Sequence, residues 1–68
     1  MKTGFVVYDS RNEVRTYRGK DGSWWKDPER AEVYSTEREA AVAKKAAGKT
    51  ASGYEPVEQA RDRNRTGR

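Results

Sequence analysis

Sixty-eight residues make one domain at most, close to the lower limit for a chain that folds without covalent or metal support. The chain has no Cys and no His, which excludes a disulfide scaffold and the usual zinc sites, and it has no Leu or Ile, so its core must come from Phe5, Val, Tyr, Trp and Ala. The net charge of +4 is mostly a property of the C-terminal stretch: residues 61–68 carry four Arg against one Asp, whereas residues 1–60 hold eleven basic and ten acidic side chains.

No apolar run is long enough to span a membrane. Met1-Lys2-Thr3-Gly4 has a basic start without an apolar segment behind it, so a signal peptide is not expected.

Phe5-Val6-Val7-Tyr8 is a β-branched and aromatic run that predicts a strand covered on both faces. Asp9-Ser10-Arg11-Asn12 is turn chemistry. Glu13-Val14-Arg15-Thr16-Tyr17-Arg18 alternates and predicts a second strand with one wet face, so the two form an antiparallel hairpin. Gly19-Lys20-Asp21-Gly22 is a further turn, and Ser23-Trp24-Trp25-Lys26 leaves it extended. Neighbours in a strand point to opposite faces, so one Trp is expected inside and the other partly exposed.

Two helix starts follow. Asp27-Pro28 offers a capping carboxylate and a proline at the first helical position, enough for one turn. Thr36-Glu37-Arg38-Glu39 is a capping box, in which Thr36 and Glu39 each satisfy the other's free backbone amide. Val33-Tyr34 lies extended between them. The box predicts a helix from Thr36 to Ala47 with Ala40, Ala43, Ala46 and Ala47 on one face and Glu37, Arg38, Lys44 and Lys45 toward water. Gly48 stops it. Lys49 to Gly53 reads as a loop and Tyr54-Glu55-Pro56-Val57-Glu58-Gln59 as a last strand, placed at a sheet edge by Pro56. Residues 61–68 have no apolar periodicity and are expected to be disordered, leaving residues 1–60 as the domain.

The fold class is therefore α+β: a small, mainly antiparallel β-sheet in the order β-β-β-α-β, with one Ala-faced helix packed on it. A sheet with a free edge is open to homodimer pairing.

Catalytic chemistry finds little here. Gly48-Lys49-Thr50 has the ending of a phosphate loop, but position 43 is Ala where that motif needs Gly, and a helix precedes it instead of following. Glu37 and Glu39 sit in a first helical turn, where carboxylates serve as caps. Ser10, Ser23, Ser35 and Ser52 have no His to activate them. No enzyme activity, cofactor or metal is expected.

Binding chemistry is more promising. Arg11, Arg15, Arg18, Lys20 and Lys26 cluster on the hairpin and its following turns, with Tyr17 joining them if it points outward. The plain alternative is a solvated strand face with Glu13 and Asp21 interspersed. Trp25 is either an interface anchor, of the residue type enriched in hot spots, or packing over the edge of a thin core. The Arg-rich end is either a solvated terminus or a segment that folds on nucleic acid.

The pattern of hairpin, Trp24, Ala31, Tyr34 and Ala40, with Asp27 and Thr36 as caps, resembles a loose group of small phage and prophage proteins over residues 5–59. Size and organisation also resemble anti-CRISPR proteins and other anti-defence inhibitors. That resemblance implies a non-enzymatic inhibitor of a bacterial defence complex, most of all a CRISPR effector, working in the bacterial host cytoplasm against a host protein or ribonucleoprotein partner. The group usually carries a small polar residue after the Trp, so Trp25 is a departure and Trp24 is the expected core aromatic. The alternative is a small basic RNA- or DNA-binding protein using the hairpin arginines and the Arg-rich tail.

Overall fold

The computed structural model describes residues 4–11 and 13–66, the last three of these as backbone only. Four strands form one antiparallel sheet: β1 (Phe5–Asp9), β2 (Thr16–Arg18), β3 (Trp24–Trp25) and β4 (Gly53–Pro56), in the spatial order β3-β2-β1-β4. A 3-10 turn at Pro28–Arg30 and the helix α1 (Glu37–Ala47) separate β3 from β4, and a second helix, α2 (Val57–Thr66), follows β4 directly. The α+β class and the hairpin are as the sequence predicts. The second helix is not.

Register fixes the two faces of the sheet. Tyr8 pairs with Tyr17, Tyr17 with Trp25, and Val6 with Glu55. Directly opposed residues share a face, so these lie on one side, and Phe5, Val7, Asp9, Thr16, Arg18, Trp24 and Tyr54 lie on the other. On the first face Val6 and Tyr17 pack with Ala31, Val57 and Ala60 in one buried cluster, roofed by α2 and the first 3-10 turn. On the second face α1 rests on β1 and β4, with Val7 and Ala40 both fully buried. The molecule is thus three layers, a helix on each side of the sheet.

Local signals explain the boundaries. Asp27 accepts from Glu29 N at 2.9 Å, with Pro28 at the first helical position. Thr36 Oγ1 accepts from Glu39 N at 3.2 Å, while the Glu39 carboxylate accepts from Ser35 N at 3.1 Å, one residue earlier than an ordinary capping box would have it. Gly48 closes α1 with φ 77°, a conformation glycine adopts without a Cβ clash. Residues 31–34 bridge a fork in the sheet: Ala31 pairs with Gly19, and Tyr34 exchanges two backbone bonds of 2.8 Å with Phe5.

Several expectations need correction. β2 covers only the second half of the predicted strand, and Val14 is half exposed. Only Ala40 of the alanine face is buried. Ala43 and Ala47 are half-buried, Ala46 is exposed, and Lys44 is half-buried instead of pointing to water. The predicted strand at 54–59 ends at Pro56, which does lie in an edge strand, and Val57 begins α2. α2 continues to Thr66, through most of the stretch expected to be disordered, and residues 67–68 lie outside the described residues. The helix forms because Val57 and Ala60, one turn apart, have a sheet face to bury against.

Candidate functional site

The seven sequence-predicted site residues do not form one surface. Tyr17 is 2% exposed, sits at the centre of the α2-side core and is no part of a rim. Its phenol is held above the usual tyrosine range by burial first and by the nearby Glu55 carboxylate second. Arg11 is turned back on Asp9, with Nη2 at 3.0 Å from Oδ2 and a backbone bond from Arg11 N to Oδ1. The Arg11 side chain, through that hydrogen bond, holds the Asp9 carboxyl below its ordinary range.

Arg15 is also engaged. It lies over the Tyr8 ring at 4.1 Å and reaches Glu55 Oε1 at 3.2 Å. Glu55 is the least expected residue in the molecule: a buried carboxylate between Arg15 on the hairpin and Arg63 on α2. Sequence reasoning placed Glu55 on an edge strand and Arg63 in a solvated tail, and nothing in their spacing connects them. Arg61, from the same helix, meets Glu29 of the first 3-10 turn at 3.3 Å. These arginines spend their charge inside the fold.

What remains is an open groove of about 640 Å³ beside β3. It combines two of the predicted residues, Lys20 and Trp25, with Arg30 and Val33, which were not foreseen. The expected core Trp is not found: Trp24 and Trp25 point to opposite faces as their register demands, and both are half-buried. Trp24 is covered by Arg18, 5.7 Å from its ring centroid, on the face away from the groove. Trp25 is covered by Arg30 at 4.7 Å. Lys26 is exposed and does not line the groove.

Trp25 is held in place by an absence of bulk. A Cβ on Gly19 would lie 2.6 Å from Trp25 Nε1 and 2.8 Å from Cδ1, so the indole edge rests where any other side chain would be. Arg30 reaches the ring because the Asp27-Pro28 turn folds the chain back over β3. Val33 is 46% exposed at the groove wall, an apolar group open to contact. Asp21, Glu29 and Glu32 add carboxylates to the rim. Asp21 is kept ionised below its usual range, chiefly by the bond it accepts from Ser23 N at 3.0 Å.

The arrangement suits contact with another surface. An indole under a guanidinium, an open valine and both signs of charge are groups that anchor and orient a partner. Among the described residues no group of carboxylates has the clustering a metal ion needs, and no helix is long and apolar enough to cross a membrane. No family model, no curated protein and no solved structure matches this chain.

Proposed function

We propose that this chain is a non-enzymatic binding protein of phage type that inhibits a bacterial defence complex, a CRISPR effector being the favoured target. It acts by occupying a surface that the complex needs for protein or nucleic-acid contact. The observation that carries the reading is the Trp25 groove. An aromatic side chain is seated over a glycine, stacked by an arginine and left half open beside an exposed valine. The class of target comes from the resemblance to anti-defence inhibitors. The absence of His and Cys removes the commonest nucleophile–base pairs and supports binding over turnover.

The alternative of nucleic-acid binding through the hairpin arginines and the Arg-rich end has less support. Arg11, Arg15, Arg61 and Arg63 are each already paired with a carboxylate of the same chain. The test is inhibition of target cleavage by purified CRISPR effectors of different types, with complex formation followed by size-exclusion chromatography. Wild type should block at least one effector in a stable complex, and Trp25→Ala should lose most of that effect while keeping its fold. Inhibition untouched by Trp25→Ala, or no complex with any effector, would remove the proposal.

A further inference from the structure

α2 joins β4 with no residue between them: Pro56 ends the strand and Val57 begins the helix. Its buried apolar anchors, Val57 and Ala60, both lie at its start. Beyond Ala60, Arg61 and Arg63 are half-buried and Asp62 is exposed. A helix this short does not hold in water by itself. Past its first turn, the ion pairs of Arg61 with Glu29 and of Arg63 with Glu55 therefore carry much of its seating.

Both seats are imperfect. Among the described residues two buried side-chain polar atoms lack a hydrogen bond, and each belongs to one of these pairs. One is Glu55 Oε2, left alone because Arg15 and Arg63 both donate to Oε1. The other is Arg61 Nε, 3.3 Å from Glu29 Oε2 without the alignment of a hydrogen bond. A buried polar atom left unmade is a cost that the docked helix carries and water relieves.

Release of the helix end does not strand the Glu55 charge. Arg15 comes from the hairpin, so its 3.2 Å bond to Oε1 stays when Arg63 leaves. A buried pair is hard to break when one partner is left uncompensated, and here a second guanidinium removes that obstacle. The Glu29 side chain is 61% exposed and returns to water easily.

We propose that α2 beyond Ala60 is a releasable clasp. It opens as a local unit while Val57, Ala60 and the sheet stay in place, with Glu55 passing from Arg63 to Arg15 and Glu29 losing Arg61. On the reading of the Trp25 groove as a contact surface, the clasp regulates that site, because Glu29 lines it. Closed, the Glu29 carboxylate is neutralised by Arg61; open, it is free for a basic side chain of the partner. By linkage, a partner that takes Glu29 favours the open helix, and the open helix favours that partner.

The test is amide hydrogen exchange of the full chain, followed by NMR. It needs no partner, so its outcome is independent of the inhibition assay with Trp25→Ala. Amides of residues 61–65 should exchange about a hundredfold faster than those of Val6 and Tyr8 in the β1–β4 ladder, which report opening of the sheet. Raising salt from about 50 mM to about 0.5 M should speed residues 61–65 severalfold by screening the pairs. Glu29→Gln should speed them by up to about fivefold, and Arg63→Gln by about tenfold. Arg15→Gln carries the sign that separates a clasp from a fraying helix end. It weakens the domain and so speeds exchange at Val6 and Tyr8. It also leaves Arg63 as the sole partner of Glu55, so it should slow residues 61–65 by about tenfold. Exchange at 61–65 as slow as at Val6 and Tyr8 in wild type would overturn the proposal. So would an Arg15→Gln variant that speeds both sets together, or residues 61–65 that ignore both salt and Glu29→Gln.

Discussion

Glu55→Gln tests how the C-terminal helix is held. The carboxylate has a side-chain exposure of 7% and receives two charged donors, Arg15 at 27% and Arg63 at 39%. Breaking a fully buried ion pair costs about 3–5 kcal/mol, and a hydrogen bond to a charged group is worth about 1.5–3 kcal/mol. Both arginines here already reach water and can be re-solvated, and both donate to the same oxygen, Oε1, which a glutamine keeps as a neutral acceptor. The expected loss is therefore smaller, about 1–2 kcal/mol. In a domain of this size that lowers Tm by roughly 4–16 °C.

The assay is thermal unfolding followed by circular dichroism, with the amplitude of the helical signal recorded below the transition. Arg63→Ala should cost a similar amount in wild type and far less in the Glu55→Gln background, a coupling of about 1 kcal/mol. Because α2 also meets the 3-10 turn through Arg61 and Glu29, weakening its seat should loosen the wall of the Trp25 groove. Additive losses in the double variant, or a Glu55→Gln protein as stable and as helical as wild type, would refute the view that this carboxylate pins α2 to the sheet.

Two further outcomes follow from the geometry. Gly19→Ala places a methyl group on the edge of Trp25 and should push the indole toward solvent, red-shifting its emission in a Trp24→Phe background and costing about 1–3 kcal/mol; an unchanged spectrum would show that the edge contact does not seat the ring. Asp9 has its folded pKa depressed, so the stability it contributes is present above its unfolded value of about 3.9 and is lost as pH falls through the folded value. Melting temperature should fall more steeply with acid in wild type than in Arg11→Ala; parallel acid profiles would rule the pair out as a source of that stability.

Signals carried within a few residues were legible from the chain. Asp27-Pro28, Thr36 with Glu39, and Gly48 act on the backbone next to them, so α1 and the first 3-10 turn lie where their caps place them. The hairpin follows from alternation and turn residues, and the opposite facing of Trp24 and Trp25 follows from strand geometry alone. Which face each would cover was another matter. Tyr17 became the central core aromatic, and neither Trp did, because α2 and the Pro28–Arg30 turn roof β1 and β2 and leave β3 at the rim.

α2 was illegible for the same reason. Val57 and Ala60 are too few to mark an amphipathic helix by period, and Tyr54 to Gln59 alternates like a strand. Only when β4 pairs with β1 does Val57 arrive beside Val6 and Tyr17, and only then do Arg61 and Arg63 find Glu29 and Glu55. Local chemistry set where elements begin and end. The burial partners of each face, and the carboxylate that turns a charged terminus into a docked helix, come from contacts distant in sequence, which composition and spacing do not encode.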